Sequence, residues 1–94
     1  MQPDRTLDYY IDRLFKQLDR GEFATEMEVQ RVYHYLVGDL IYKLTTRCTF
    51  RNGTLRVRYA AAALRQEITL RRESLRQRIN SELGGEVVKK IVIL

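Results

Sequence analysis

Residues 45–59 read "TTRCTFRNGTLRVRY", and the period of this stretch decides the fold. Apolar and polar residues alternate one by one, which is the period of a strand and not of a helix. Asn52-Gly53 interrupts the alternation. Both residues accept positive φ readily, so the pair between two alternating runs predicts a hairpin with a two-residue loop. Such a loop fixes the register: Arg51 opposite Thr54, Phe50 opposite Leu55, Thr49 opposite Arg56, Cys48 opposite Val57, and Arg47 opposite Arg58. Period two then assigns Cys48, Phe50, Leu55, Val57 and Tyr59 to one face, with Thr46 at its edge. Arg47, Thr49, Arg51, Thr54, Arg56 and Arg58 take the other. Four arginines thus share one face of a ribbon. Like charges directly opposite are unfavourable, so the Arg47–Arg58 pair carries a cost that something else must offset.

Upstream, the period is helical. Leu7, Tyr10, Ile11, Leu14, Phe15 and Leu18 predict an amphipathic helix that Gly21 ends. Thr25 and Glu28 form a capping-box pair that predicts a second helix start. Val29, Val32, Tyr33, Leu36, Val37, Leu40, Ile41 and Leu44 carry its stripe, with Gly38 inside it. Gly38 either costs stability or permits close packing.

Downstream, residues 60–83 are helical. Ala61, Leu64, Ile68, Leu75, Ile79 and Leu83 share one face. In a straight helix Arg72 would fall on that face and Leu70 on the opposite one, so a kink or a break near Thr69–Glu73 is expected to resolve both conflicts. Gly84-Gly85 ends the stretch and "VVKKIVIL" (87–94) reads as a third strand. With few charges it suits the interior of a sheet better than an edge, and it is expected beside the first strand. The fold class is α+β in the order α-α-β-β-α-β, with helices on one face of a small three-stranded mixed sheet. The chain reads as one domain over 1–94, with an N-terminal helix and linker at 1–24 and a core at 25–94.

The composition is that of a globular chain: 45% hydrophobic and 31% charged residues over 94 positions, too apolar for disorder. The single cysteine excludes an internal disulfide or a cysteine zinc cluster. No apolar run approaches the roughly 18 residues that span a bilayer, and the acidic, mixed start is not a signal peptide. A soluble, cytoplasmic protein with no membrane partner is expected.

The net charge of +5 is uneven: residues 1–42 sum to −3 and residues 43–94 to +8. Such asymmetry predicts an anionic partner for the second part. The arginines are its candidate contacts: Arg47, Arg51, Arg56 and Arg58 on the hairpin, and Arg65, Arg71, Arg72, Arg76 and Arg78 along the helical stretch. Arginine suits phosphate because its planar fork donates two parallel hydrogen bonds and stays charged. Six such contacts to duplex DNA would give a slope of about −5 in log K against log salt. Phe50 and Tyr59 point inward by register, so base stacking is absent from the ribbon face and contact with the nucleic-acid backbone is the expected mode.

A catalytic inventory is missing. His34 is a lone histidine off the apolar stripe, and Cys48 reads as an inert inner-face thiol. Gly84-Gly85 matches no phosphate loop, and no histidine–carboxylate cluster offers a metal site. No enzyme, cofactor or small-molecule substrate is expected.

The run "YHYLVGDLIYKLT" (33–45), followed in order by "FRNGTLRVR", "AAALRQEITLRRESLRQRIN" and "LGGEVVKKIVIL", resembles the DciA-type domain associated with the bacterial replicative helicase. Val37-Gly38, Ile41 and Thr45 fit that family's pattern. Tyr33 stands where the family often has tryptophan, and Leu44 where it has histidine. The resemblance implies a KH-like fold, though no Gly-x-x-Gly clamp is present. It also implies DNA binding, single- or double-stranded, and a role in loading or operating the replicative helicase in the bacterial cytoplasm, with nucleoid association left open. Two alternatives stay open. One is an adaptor whose basic part meets an acidic protein surface or another copy of the chain. The other is an RNA-binding module.

Overall fold

A computed structural model describes residues 23–94, with side chains from Glu26 onward. The predicted helix at 1–24 lies outside the described residues, apart from its last two positions. Those two already belong to the first described helix, α1, which spans Phe23–Lys43 and so starts two residues before Thr25. The hairpin strands follow, β1 (Thr45–Arg51) and β2 (Thr54–Tyr59), then α2 (Ala62–Leu70), α3 (Arg72–Leu83) and β3 (Lys90–Ile93). The described order is α-β-β-α-α-β, because the 60–83 stretch is two helices and not one.

The hairpin register is the one the Asn52-Gly53 loop dictates, from Arg51↔Thr54 to Arg47↔Arg58. Asn52 and Gly53 both have positive φ, as a mirror-image turn requires. Beyond Arg47 the register slips: Thr45, and not Thr46, stands opposite Tyr59. Thr46 is the extra residue of a bulge. It leaves the core face, and Thr45 turns inward in its place.

The third strand is not beside β1. The sheet order is β1-β2-β3, and β3 pairs parallel to β2, Thr54↔Lys90 through Val57↔Ile93. The free edge of β1 is already occupied. Glu26 Oε2 accepts the N–H of Phe50 at 3.0 Å, and Gln30 Nε2 donates to the carbonyl of Cys48 at 2.6 Å. Two side chains one helical turn apart thus satisfy the backbone groups that a neighbouring strand would have taken. The helical crossover instead returns the chain to the far side of β2, as a strand–helix–strand connection does.

The helices bury one face of the sheet. Val29 and Tyr33 of α1, Ile68 of α2 and Ile79 of α3 close over Phe50, Leu55, Val57, Tyr59 and Ile91, joined by Val88. At about 1.5–3 kcal/mol for each fully buried large apolar side chain, these contacts set the layer order.

Two breaks shape the helices. Gly38 has φ 87° and ψ 169°, a region that only glycine occupies without strain. A Cβ there would meet nothing within 4 Å, so the glycine serves the backbone kink and not close packing. The kink takes Leu40 off the predicted stripe and leaves it 74% exposed. Arg71, at φ −105° and ψ 12°, separates α2 from α3. This break frees Arg72 to solvent, but Leu70 stays 78% exposed. The expectation that one break would resolve both conflicts therefore holds for the arginine alone: Leu70 is the last residue of α2 and still points away from the core.

Candidate nucleic-acid interface

Alternation places the outer face of the sheet opposite the helices. Three rows cross it. Arg51, Thr54 and Lys90 form the row nearest the hairpin tip. Thr49, Arg56 and Val92 form the second, and Arg47 with Arg58 the third. Arg47, Arg51, Arg56, Arg58 and Lys90 are all exposed. None of the described strands contributes an acid to this face, and none of its five cations has an ion-pair partner among the described residues. At an effective dielectric near that of a protein surface, unpaired cations this close raise one another's potential and favour a bound anion.

Lys90 is the member of this face that the sequence reading missed. With β3 placed beside β1 it could not join the row of Thr54. The Lys89-Lys90 pair was visible, and a right-handed crossover from β2 would have put it here. Lys89 lies at the hairpin tip, its Cγ 3.0 Å from where a Gly53 Cβ would stand.

The helical arginines are placed differently. Arg65, Arg71, Arg72 and Arg78 are exposed but belong to the helical layer, packed on the other face of the sheet. Arg71 Nε donates to Glu67 Oε2 at 2.8 Å, one turn back on α2. Arg78 lines a cleft of about 190 Å³ with Leu36, Val37 and Leu75. Arg76 is held within the fold: it pairs with Glu73 and Glu86 and donates to the Val88 carbonyl at 3.2 Å, with its side chain 16% exposed. Its hydrogen bonds to the Glu73 and Glu86 carboxylates push its pKa further above the ordinary guanidinium value. Arg76 is thus engaged within the fold, at the approach to β3.

The inner face holds a hydroxyl cluster that the bulge creates. The Tyr33 hydroxyl donates to that of Tyr59 at 2.9 Å and lies 2.9 Å from Thr45 Oγ1, which donates to the Ile41 carbonyl at 2.8 Å. Burial raises the pKa of both phenols, so this is a neutral structural network. Cys48 is half-buried, and desolvation with the nearby Glu26 pushes its thiol up to about 11. His34 lies off the core, as the sequence indicates. Its Nε2 is 2.8 Å from Asp39 Oδ1 and its ring stacks on Tyr42 at 3.8 Å. Among the described residues no three or more His, Cys, Asp or Glu side chains converge as metal ligands. No described helix is long and apolar enough to cross a membrane.

A family model described as "Dna[CI] antecedent, DciA" matches residues 6–93. No curated protein matches the sequence. The match spans nearly the whole chain, and the chain belongs to the DciA family. It is a non-enzymatic accessory protein of that type.

Proposed function

We propose that this DciA-family chain binds the backbone of DNA through the open face of its sheet and assists the bacterial replicative helicase. The observation that carries the reading is the set of five exposed cations, Arg47, Arg51, Arg56, Arg58 and Lys90, on a sheet face to which the described strands contribute no acid. Phe50 and Tyr59 are turned into the core, so the face offers no stacking platform. It favours phosphate contact with little reading of sequence. The helicase enters from family membership. The bound anion would also offset the repulsion between Arg47 and Arg58.

The test is fluorescence anisotropy with labelled single- and double-stranded DNA across a salt series. Wild-type binding should weaken steeply with salt. The pair Arg56→Glu and Arg58→Glu should abolish most of it while circular dichroism stays unchanged. Unchanged affinity in that folded variant excludes the sheet face.

A second reading is a protein adaptor. It is favoured by the exposed Tyr35, Leu40 and Leu70, large apolar side chains on the helical layer. Helicase pull-down by the Leu40→Asp variant, compared with the glutamate pair, separates the two readings.

A further inference from the structure

On the outer face, long cationic side chains alternate with short ones. Thr54 is flanked across the sheet by Arg51 on β1 and Lys90 on β3, and along its own strand by Arg56. Thr49 is flanked along β1 by Arg47 and Arg51, and across by Arg56. Each threonine is thus the floor of a tripod of three cations. Thr54, on the central strand, is only 8% exposed although it faces outward, while Thr49, on the edge strand, is exposed. Thr45, Thr46 and Thr69 use their hydroxyls within the fold. Those of Thr49 and Thr54 have no hydrogen-bond partner among the described residues, and no polar side-chain atom there is both buried and unsatisfied. Thr49 is exposed, so its hydroxyl can donate at the surface, and the Thr54 hydroxyl lies at the floor of its tripod.

We infer that Thr49 and Thr54 mark two adjacent phosphate subsites, which take consecutive phosphodiesters of a single nucleic-acid strand. Diagonal neighbours on adjacent strands of a sheet stand about 7–8 Å apart. That is the order of the separation between neighbouring phosphates on one strand. Arg51 and Arg56 belong to both tripods and bridge the two anions, while Lys90 serves the Thr54 subsite alone. The hydroxyl donates one hydrogen bond to a non-bridging oxygen, and the guanidinium forks neutralise the charge. The ligand class is a run of phosphodiesters along one strand, read without reference to its bases.

This inference rests on the proposed DNA-binding reading, and the test separates the two. Labelled oligothymidylate is titrated against the wild-type chain, Lys90→Ala, Thr54→Val, the Thr49→Val and Thr54→Val pair, and Gln66→Ala in the helical layer. Lys90→Ala should weaken binding about fivefold and reduce the salt slope by about 0.7, the share of one phosphate on a single strand. The valine pair should weaken binding by a similar factor with the slope unchanged, since a hydroxyl displaces no counterion. Gln66→Ala, at an exposed neutral residue of α2, should change neither quantity. If the wild type binds and the Arg56→Glu, Arg58→Glu pair does not, but Lys90→Ala and the valine variants match Gln66→Ala, the subsites are overturned and the DNA reading stands. If the wild type does not bind at low salt, both are overturned. Circular dichroism confirms that each variant is folded, and valine keeps the shape and strand preference of threonine.

Discussion

The side-chain amide of Asn80 and the peptide group of Val88 exchange two hydrogen bonds, each 2.8 Å long: Asn80 Nδ2 donates to the Val88 carbonyl, and the Val88 N–H donates to Asn80 Oδ1. Both residues are buried. The pair ties the end of α3 to the segment that leads into β3, and so fixes where Lys90 enters the sheet. Replacing Asn80 by alanine strands a buried N–H, which costs about 1–3 kcal/mol, while the carbonyl keeps Arg76. Urea unfolding of Asn80→Ala should show a lower midpoint with an unchanged slope. A midpoint equal to that of the wild type would mean the clamp is not needed.

Gly38 gives a second test. Its φ of 87° with ψ 169° belongs to a region that costs other residues on the order of 1–3 kcal/mol. The space around it is open, so the penalty of Gly38→Ala is conformational and not steric. Thermal melting should show a loss of several degrees, and larger side chains at this position should cost little more than alanine. A steep rise with side-chain size would point to crowding instead.

Arg76 links stability to acid. Its hydrogen bonds to Glu73, together with the nearby charge, hold that carboxyl below its ordinary value. A carboxylate with a depressed folded pKa contributes stability above its unfolded pKa and loses it as pH falls through the folded one. Glu73→Gln should therefore be less stable than the wild type near neutrality, and the two should converge as pH drops below the ordinary carboxylate range near 4.5. Melting temperatures measured from neutral to acid pH check the convergence; a gap that persists at low pH would reject the pairing.

The alkaline side has the opposite sign. Burial raises the phenols of Tyr33 and Tyr59 above their ordinary value, so their contribution is complete below about pH 10 and fades as pH rises above it. Spectrophotometric titration should find two tyrosines that ionise only as the fold is lost. Cys48, with its thiol near 11, should react slowly with a thiol reagent at neutral pH and rapidly in denaturant. Fast labelling of the native protein would show that β1 opens locally.

The hairpin was legible residue by residue because local chemistry determines it. A two-residue loop admits one register, and alternation does the rest. The position of β3 was not legible, because it depends on what occupies the other edge of β1. Glu26 and Gln30 look like solvent-facing helix residues in sequence, and only the packing of α1 turns them toward a strand. Local alternation places Arg47, Arg51, Arg56 and Arg58 on one face, as the observed register does, yet Lys90 depends on the sheet order and is lost with it. Arg76 shows the converse: its charge stands out in sequence, while Glu73, Glu86 and the Val88 carbonyl become its partners only once α3 lies against the approach to β3. The bulge at Thr46 left no local mark, since Thr45 and Thr46 are the same residue type.

The order in which the ribosome releases the chain gives the guarded edge of β1 a further meaning. Glu26 and Gln30 precede Cys48 and Phe50 in sequence, so the cover for that edge emerges before the edge itself. Asn80 likewise precedes Val88. An arginine-rich hairpin with one bare edge would be open to pairing with neighbouring nascent chains. Here the β1 edge and the Val88 peptide are both made after the side chains that will silence them, so their vulnerable interval during synthesis is short.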